Sequence, residues 1–298
     1  MKKAIVIFIL IAAVLAVLLL VYFKFIVIPN RVSSYLESAR ISLEKGNYQE
    51  AGANARRAIR IDNRSALGYL ILARSVNADK SVLHEETLRY LKKAEELGDA
   101  SISLYTELAD VNLELGNWDE AKENLDGALT RNKDDLAGSY YKVILLLYGE
   151  NNPSAAAALA ERITGKYPEN PAVKRVLALA YHLSGDEKKS FETINAAIES
   201  KPDYCLFYTA KAEIYKTKSP TDAEEALNKA EKLALKSGDL IARYCLSNVY
   251  SQKGDLSRLR GDPEEITGAF YEQAMNINIP RGKISDTYRE SAVKYSEQ

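Results

Sequence analysis

Gly116–Ala128 reads GNWDEAKENLDGA. Gly116 and Asn117 break one helix, and Trp118 opens the next. Ala121, Leu125 and Ala128 follow at steps of three or four, which places them on one face. Two small residues on that face let a neighbouring helix come close. The pattern returns along the chain: Gly46-Asn47-Tyr48 leads to Ala51 and Ala58, and Gly185-Asp186 leads to Ser190, Ile194 and Ala197, with Pro202 closing that helix. The copies fall about 34 residues apart, the period of a stacked helix–turn–helix unit.

First helices carry an aromatic slot, Tyr35, Tyr69, Tyr105, Tyr140 and Tyr208, with Lys174 and Arg243 as departures. A small slot follows at Ala39, Ala73, Ala109, Ala178, Ala212 and Ser247, broken by Ile144. Second helices end on Ala58, Ala94, Ala128, Ala197 and Ala274, with Ile163 and Leu233 as exceptions. In this register the chain resembles the tetratricopeptide repeat family, from about residue 32 onward. The resemblance implies an all-α, right-handed α-solenoid of about seven helix pairs. The repeats run over about 32–65, 66–101, 102–136, 137–170, 171–204, 205–239 and 240–281, with a capping helix at 283–296. Polar faces belong at the ends of such an array. Ile144 predicts looser packing in the fourth repeat. Two insertions are expected, a short one near Asn77–Val82 and the largest over 254–265 (GDLSRLRGDPEE), with Pro29-Asn30 as a linker into the first repeat.

The N-terminus has its own character. Ala4–Phe23 contains no charge, and about twenty helical residues span about 30 Å, the thickness of a bilayer's hydrocarbon core. Residues 1–30 read as a transmembrane anchor, with membrane contact over 4–28. A cleaved signal peptide is the competing reading; it calls for a shorter apolar core and a small-residue cleavage site, and FKFIVIPNRVSS has no good one. Lys2 and Lys3 lean towards a cytoplasmic N-terminus. That puts the repeats outside the cytoplasm, at a bacterial inner membrane.

Chemistry is sparse. Lys plus Arg (40) and Asp plus Glu (41) nearly cancel, so the basic surplus of a nucleic-acid binder is missing. His84 and His182 have no second ligand at metal spacing, and Cys205 and Cys245 form no C-x-x-C. The cysteines read as buried thiols, because adjacent helices pack about 8–10 Å apart, which works against a disulfide. No nucleotide-binding or hydrolase motif appears. The expectation is a non-enzyme with no cofactor, metal or small-molecule substrate.

The resemblance implies a protein or peptide partner in a concave groove lined by first helices. Family register places Arg40, Arg74, Asp110, Tyr141, Leu145, Tyr148, Arg175, His182, Glu213, Tyr244 and Asn248 there, with Tyr141 to Arg175 as its centre. The Lys/Asn/Arg clamp that some members use for a chaperone's C-terminal carboxylate is absent, since Leu36, Arg40, Ile71, Ser103 and Thr106 occupy the corresponding positions. The function implied is a membrane-anchored scaffold in envelope assembly, secretion or quality control. The alternative is a receptor or holdase-type chaperone for precursor or unfolded chains near a translocation channel, which calls for an exposed apolar patch around Tyr141–Tyr148.

Overall fold

The computed structural model describes residues 2–77, 84–237 and 240–277. The short insertion near Asn77–Val82 falls mostly on residues 78–83, outside these, as does the capping helix at 283–296. All the regular structure among the described residues is helical, as the repeat register requires. The chain divides into two compact units, 1–100 and 101–298.

Unit 1 begins with α1 (Lys2–Tyr22), one π-helical turn (Phe23–Val27) and α2 (Ile28–Glu44). The helix is continuous, so Pro29-Asn30 is not a linker. Proline lacks an amide N–H and presses on the carbonyl four residues earlier. Just ahead of Pro29 the ladder widens, and the Ile28 N–H bonds to the Phe23 carbonyl, five residues back. A π turn of this kind absorbs a local misfit without ending the helix. From Ala12 on, the apolar stretch has no buried side chains, and its length and composition suffice to cross a membrane. α3 (Tyr48–Ile61), α4 (Ala66–Asn77) and α5 (His84–Glu96) follow. Ala39, Ala55, Ile71, Leu72 and Val76 form the core of this unit.

Among the described residues, unit 2 holds five pairs: α6 (Ile102–Leu115) with α7 (Trp118–Arg131); α8 (Leu136–Ile144), its π turn (Leu145–Gly149) and α9 (Pro153–Lys166); α10 (Pro171–Leu183) with α11 (Glu187–Ser200); α12 (Cys205–Tyr215) with α13 (Pro220–Ser237); α14 (Leu240–Arg260) with α15 (Glu264–Asn276). The expected small slots do the close packing. Ala109, Ala128 and Ala178 are wholly buried, and Ala197, Ala212, Ser247 and Ala274 nearly so. Gly46, Gly116 and Gly185 all adopt left-handed backbone, at φ of 74°, 75° and 83°. That conformation ends the first helix and is nearly free of strain only for glycine. In the fourth repeat Asn151 takes it instead, at φ 48°, after the helix has passed Ile144 and widened into its π turn. The fourth repeat is nonetheless well packed: Val143, Leu146, Leu147, Ala156, Ala160 and Ile163 are buried together.

First helices share a start signal that the repeat register did not reveal. The side-chain oxygens of Ser65, Ser101, Asp135 and Asn170 accept backbone N–H bonds from Gly68, Leu104, Gly138 and both Ala172 and Val173. Such caps satisfy amides that have no helical partner.

Residues 254–265, the expected insertion, have a defined structure. Most of this expected insertion is helix. It extends α14 to Arg260, and only Gly261-Asp262-Pro263 turns the chain. The extension persists because Leu256 and Ser257 face inward, Ser257 Oγ lies 3.0 Å from Thr267 Oγ1, and the ring of Tyr271 lies against Gly254.

Candidate functional site

Within unit 2 each first helix touches the next: α6 with α8, α8 with α10, α10 with α12, α12 with α14. Second helices pack on first helices instead and make no comparable contact with one another. The first helices therefore crowd along one side of this unit, the side that the resemblance expects to line a groove.

At its α6 end, the Tyr141 hydroxyl of α8 hydrogen-bonds Asp110 and lies near Glu114. Burial, and then the Asp110 carboxylate, push that hydroxyl well above its ordinary range. Tyr140 meets Tyr141 edge to face, with ring centroids 5.7 Å apart, a favoured aromatic geometry. Tyr140 also accepts a 3.0 Å hydrogen bond from Nη2 of Arg175 on α10. Around this guanidinium stand the hydroxyls of Tyr140, Tyr244, Tyr204 and Tyr148. Burial alone weakens its charge, but these oxygens outweigh burial and hold it charged. Tyr148 stands 56% exposed, with Arg175 and Glu213 both within electrostatic reach. Glu213 is occupied by Lys216 at 2.9 Å, which also reaches Asp255.

Six of the eleven expected groove residues, Asp110, Tyr141, Tyr148, Arg175, Glu213 and Tyr244, fall into this one charged and aromatic arrangement; His182 is half-buried at the end of α10. Two belong elsewhere. Leu145 is wholly buried among Ala109, Leu113, Ala121 and Leu125. Asn248 is 4% exposed and donates from its side-chain amide to the Tyr244 carbonyl at 3.0 Å, so it braces α14 rather than facing a partner. The patch expected around Tyr141–Tyr148 is also mostly closed, since Leu145, Leu146 and Leu147 are buried.

Arg40 and Arg74 lie in unit 1, where they border a cavity of about 670 Å³ floored by Val32, Leu36 and Ile71. Arg40 spends its donors on Glu37 and Glu44 of its own helix. The repeat register missed Tyr204, which precedes α12 and contacts Phe207 edge to face at 4.8 Å. It also assigned Tyr140 to packing alone. The spacing of about one repeat between Tyr140 and Arg175 was the available signal.

Both cysteines are free and buried in one core cluster. The Cys205 thiol lies beside that of Cys245; this contact, and then burial, push the Cys245 thiol up. A group of His, Cys, Asp or Glu side chains suited to a metal ion is absent among the described residues.

Two segments match tetratricopeptide repeat models, residues 142–204 and 32–65. No curated protein matches the sequence. Among solved structures, the chain is similar to a tetratricopeptide repeat protein from Parabacteroides merdae, with a TM-score of 0.63 and 16% identity over 90% of this chain and 100% of the other. It is similar to Pseudomonas aeruginosa PilF, with a TM-score of 0.54 and 15% identity over 73% of this chain and 97% of that one. It is also similar to YrrB, described as having an unusual peptide-binding site, with a TM-score of 0.50 and 20% identity over 59% and 90% of the two chains. At these identities the likeness shows the fold.

Proposed function

We propose that this chain, a tetratricopeptide-repeat protein, is a membrane-tethered scaffold that holds an extended peptide or a helix of a partner protein along the first helices of unit 2. The observation that carries the reading is the row of half-buried aromatic and charged side chains from Tyr141 through Arg175 to Tyr244. Tyrosine and arginine are the residue types that most often anchor protein interfaces, and a groove of first helices suits an extended or helical segment. The α1 helix supports the tether: its exposed Val14, Leu15, Leu18, Leu19 and Leu20 would be costly in water, and an anchor raises the effective concentration of whatever the groove holds. Lys2 and Lys3 favour a cytoplasmic N-terminus, with the repeats on the far side of a bacterial inner membrane and a role in envelope assembly, secretion or quality control. Burial of Leu145–Leu147 favours a dedicated partner over a holdase.

A photoreactive residue at Tyr148 in native membranes tests the groove. One dominant crosslinked protein supports a scaffold, a smear of unrelated chains supports a holdase, and no crosslink refutes the groove. Alkaline extraction tests the tether, which fails if the chain leaves the membrane pellet. Protease protection of the repeats in intact spheroplasts refutes the orientation.

A further inference from the structure

The groove contains a charge that the protein itself does not answer. Arg175 makes one hydrogen bond, to the Tyr140 hydroxyl at 3.0 Å. Its Nε is fully buried and has no hydrogen-bond partner, although the residue as a whole is only half-buried. Among the described residues no carboxylate pairs with it. Lys142, Lys166, Lys189, Lys216, Lys218, Lys253 and Arg260 of the same unit all have acidic partners. A guanidinium taken from water without a counter-charge is a cost to the fold, and its planar fork is shaped for a carboxylate. The phenols of Tyr140, Tyr148, Tyr204 and Tyr244 surround it; their hydroxyl oxygens can accept hydrogen bonds but are not the carboxylate its fork is shaped for.

We propose that Arg175 receives a carboxylate side chain, Asp or Glu, from within the partner segment, with the tyrosine ring excluding water from the pair. The proposal rests on the groove reading above and names the chemistry its centre takes. An internal side chain is favoured over a chain terminus by position. First helices extend the groove on both sides of Arg175, α6 and α8 on one and α12 and α14 on the other, so a segment lying in it passes over the arginine.

The test uses the full chain in lipid nanodiscs and a phage library of random 12-residue peptides fused at both ends, so that none offers a free terminus. Enriched sequences are then made with blocked ends and a benzophenone, to map where they crosslink. Crosslinks on α8, α10 and α12 and a shared Asp or Glu are expected. Changing that residue to its amide weakens binding to the native protein by about 10- to 100-fold and to Arg175→Gln by less than about 3-fold. If Arg175→Gln does not fold by circular dichroism, Arg175→Lys, which keeps the charge but not the fork, must cut the amide penalty by at least about 3-fold. Groove crosslinks without a shared acid, or an amide penalty unchanged in both variants, overturn the carboxylate and leave the groove standing. Binding only by peptides with a free C-terminal carboxylate, added as a separate set, overturns the internal side chain. Crosslinks elsewhere, or no enrichment, overturn the groove reading and this proposal together.

Discussion

Replacing Gly254 with alanine sets two helix effects against each other. Gly254 lies inside α14, where glycine costs about 1 kcal/mol relative to alanine. A Cβ at this position would stand 2.8 Å from both Cε1 and Cζ of Tyr271 and 3.0 Å from its Cδ1. The ring cannot retreat easily: Tyr271 is 1% exposed and its hydroxyl bonds Asp255 Oδ1 at 2.8 Å. Overpacking of this kind costs about 1–3 kcal/mol. The net expectation is a loss of about 0–2 kcal/mol. Gly268, in the facing helix α15, is the control: a Cβ there meets nothing within 4 Å, so Gly268→Ala is expected to gain up to about 1 kcal/mol. Hydrogen exchange of the α14 and α15 amides reads both variants without assuming that the array unfolds as one unit. A contrast of about 1–3 kcal/mol between them corresponds to about a 5- to 150-fold difference in exchange rate. In a Tyr271→Leu background the clash is relieved, and Gly254→Ala is expected to stabilise. If Gly254→Ala slows exchange as Gly268→Ala does, the ring does not lie against the backbone and the account of the α14 extension fails.

Four further outcomes are expected. Leu125 is wholly buried, so Leu125→Ala costs about 2–5 kcal/mol in urea unfolding followed by Trp118 fluorescence, whereas Leu235→Ala, at a position 65% exposed, stays within about 0.5 kcal/mol; equal effects would contradict the repeat register. Asn170→Ala removes the cap on the helix that carries Arg175 and costs about 0.5–2 kcal/mol, seen as faster exchange at the start of α10; unchanged exchange there argues against the cap. Glu231 is a partly buried acid-sensitive group. Burial raises its affinity for a proton, but hydrogen bonds from Lys253 and Tyr250 prevail and hold the carboxyl below its unfolded value of 4.5. Its stabilising contribution is therefore complete above about pH 4.5 and is lost as pH falls through the lower folded value; a stability difference from Glu231→Gln that stayed constant from pH 7 to 3 would contradict this. Finally, Cys205 and Cys245 are 5% and 0% exposed, so a maleimide is expected to label neither until urea opens unit 2, and rapid native labelling would refute their burial.

The repeat architecture is written in local chemistry. A period of about 34 residues, alanines where helices cross closely and glycines where the backbone turns left-handed each act within a few residues of their own position, so they are legible in order along the chain. The caps at Ser65, Ser101, Asp135 and Asn170 are equally local and equally readable. Register also put Asp110, Tyr141, Tyr148, Arg175, Glu213 and Tyr244 along one surface, because facing positions in successive repeats recur at the same phase.

Tertiary structure decided what depends on sums across repeats or on a change of helical phase. Pro29 reads as a break, yet a π turn before it carries the helix through. A second π turn begins at Leu145, whose own N–H still bonds the Tyr141 carbonyl, and leaves Tyr148 exposed; one extra residue per turn shifts the phase of the side chains that follow. The residues after Gly254 read as an insertion, but they find a face to bury against α15 and stay helical. The surroundings of Arg175 combine phenols from the fourth, fifth and seventh repeats; no local pattern indicates that they meet, because each comes from a different stretch of chain and only the stacking of the first helices brings them to one guanidinium.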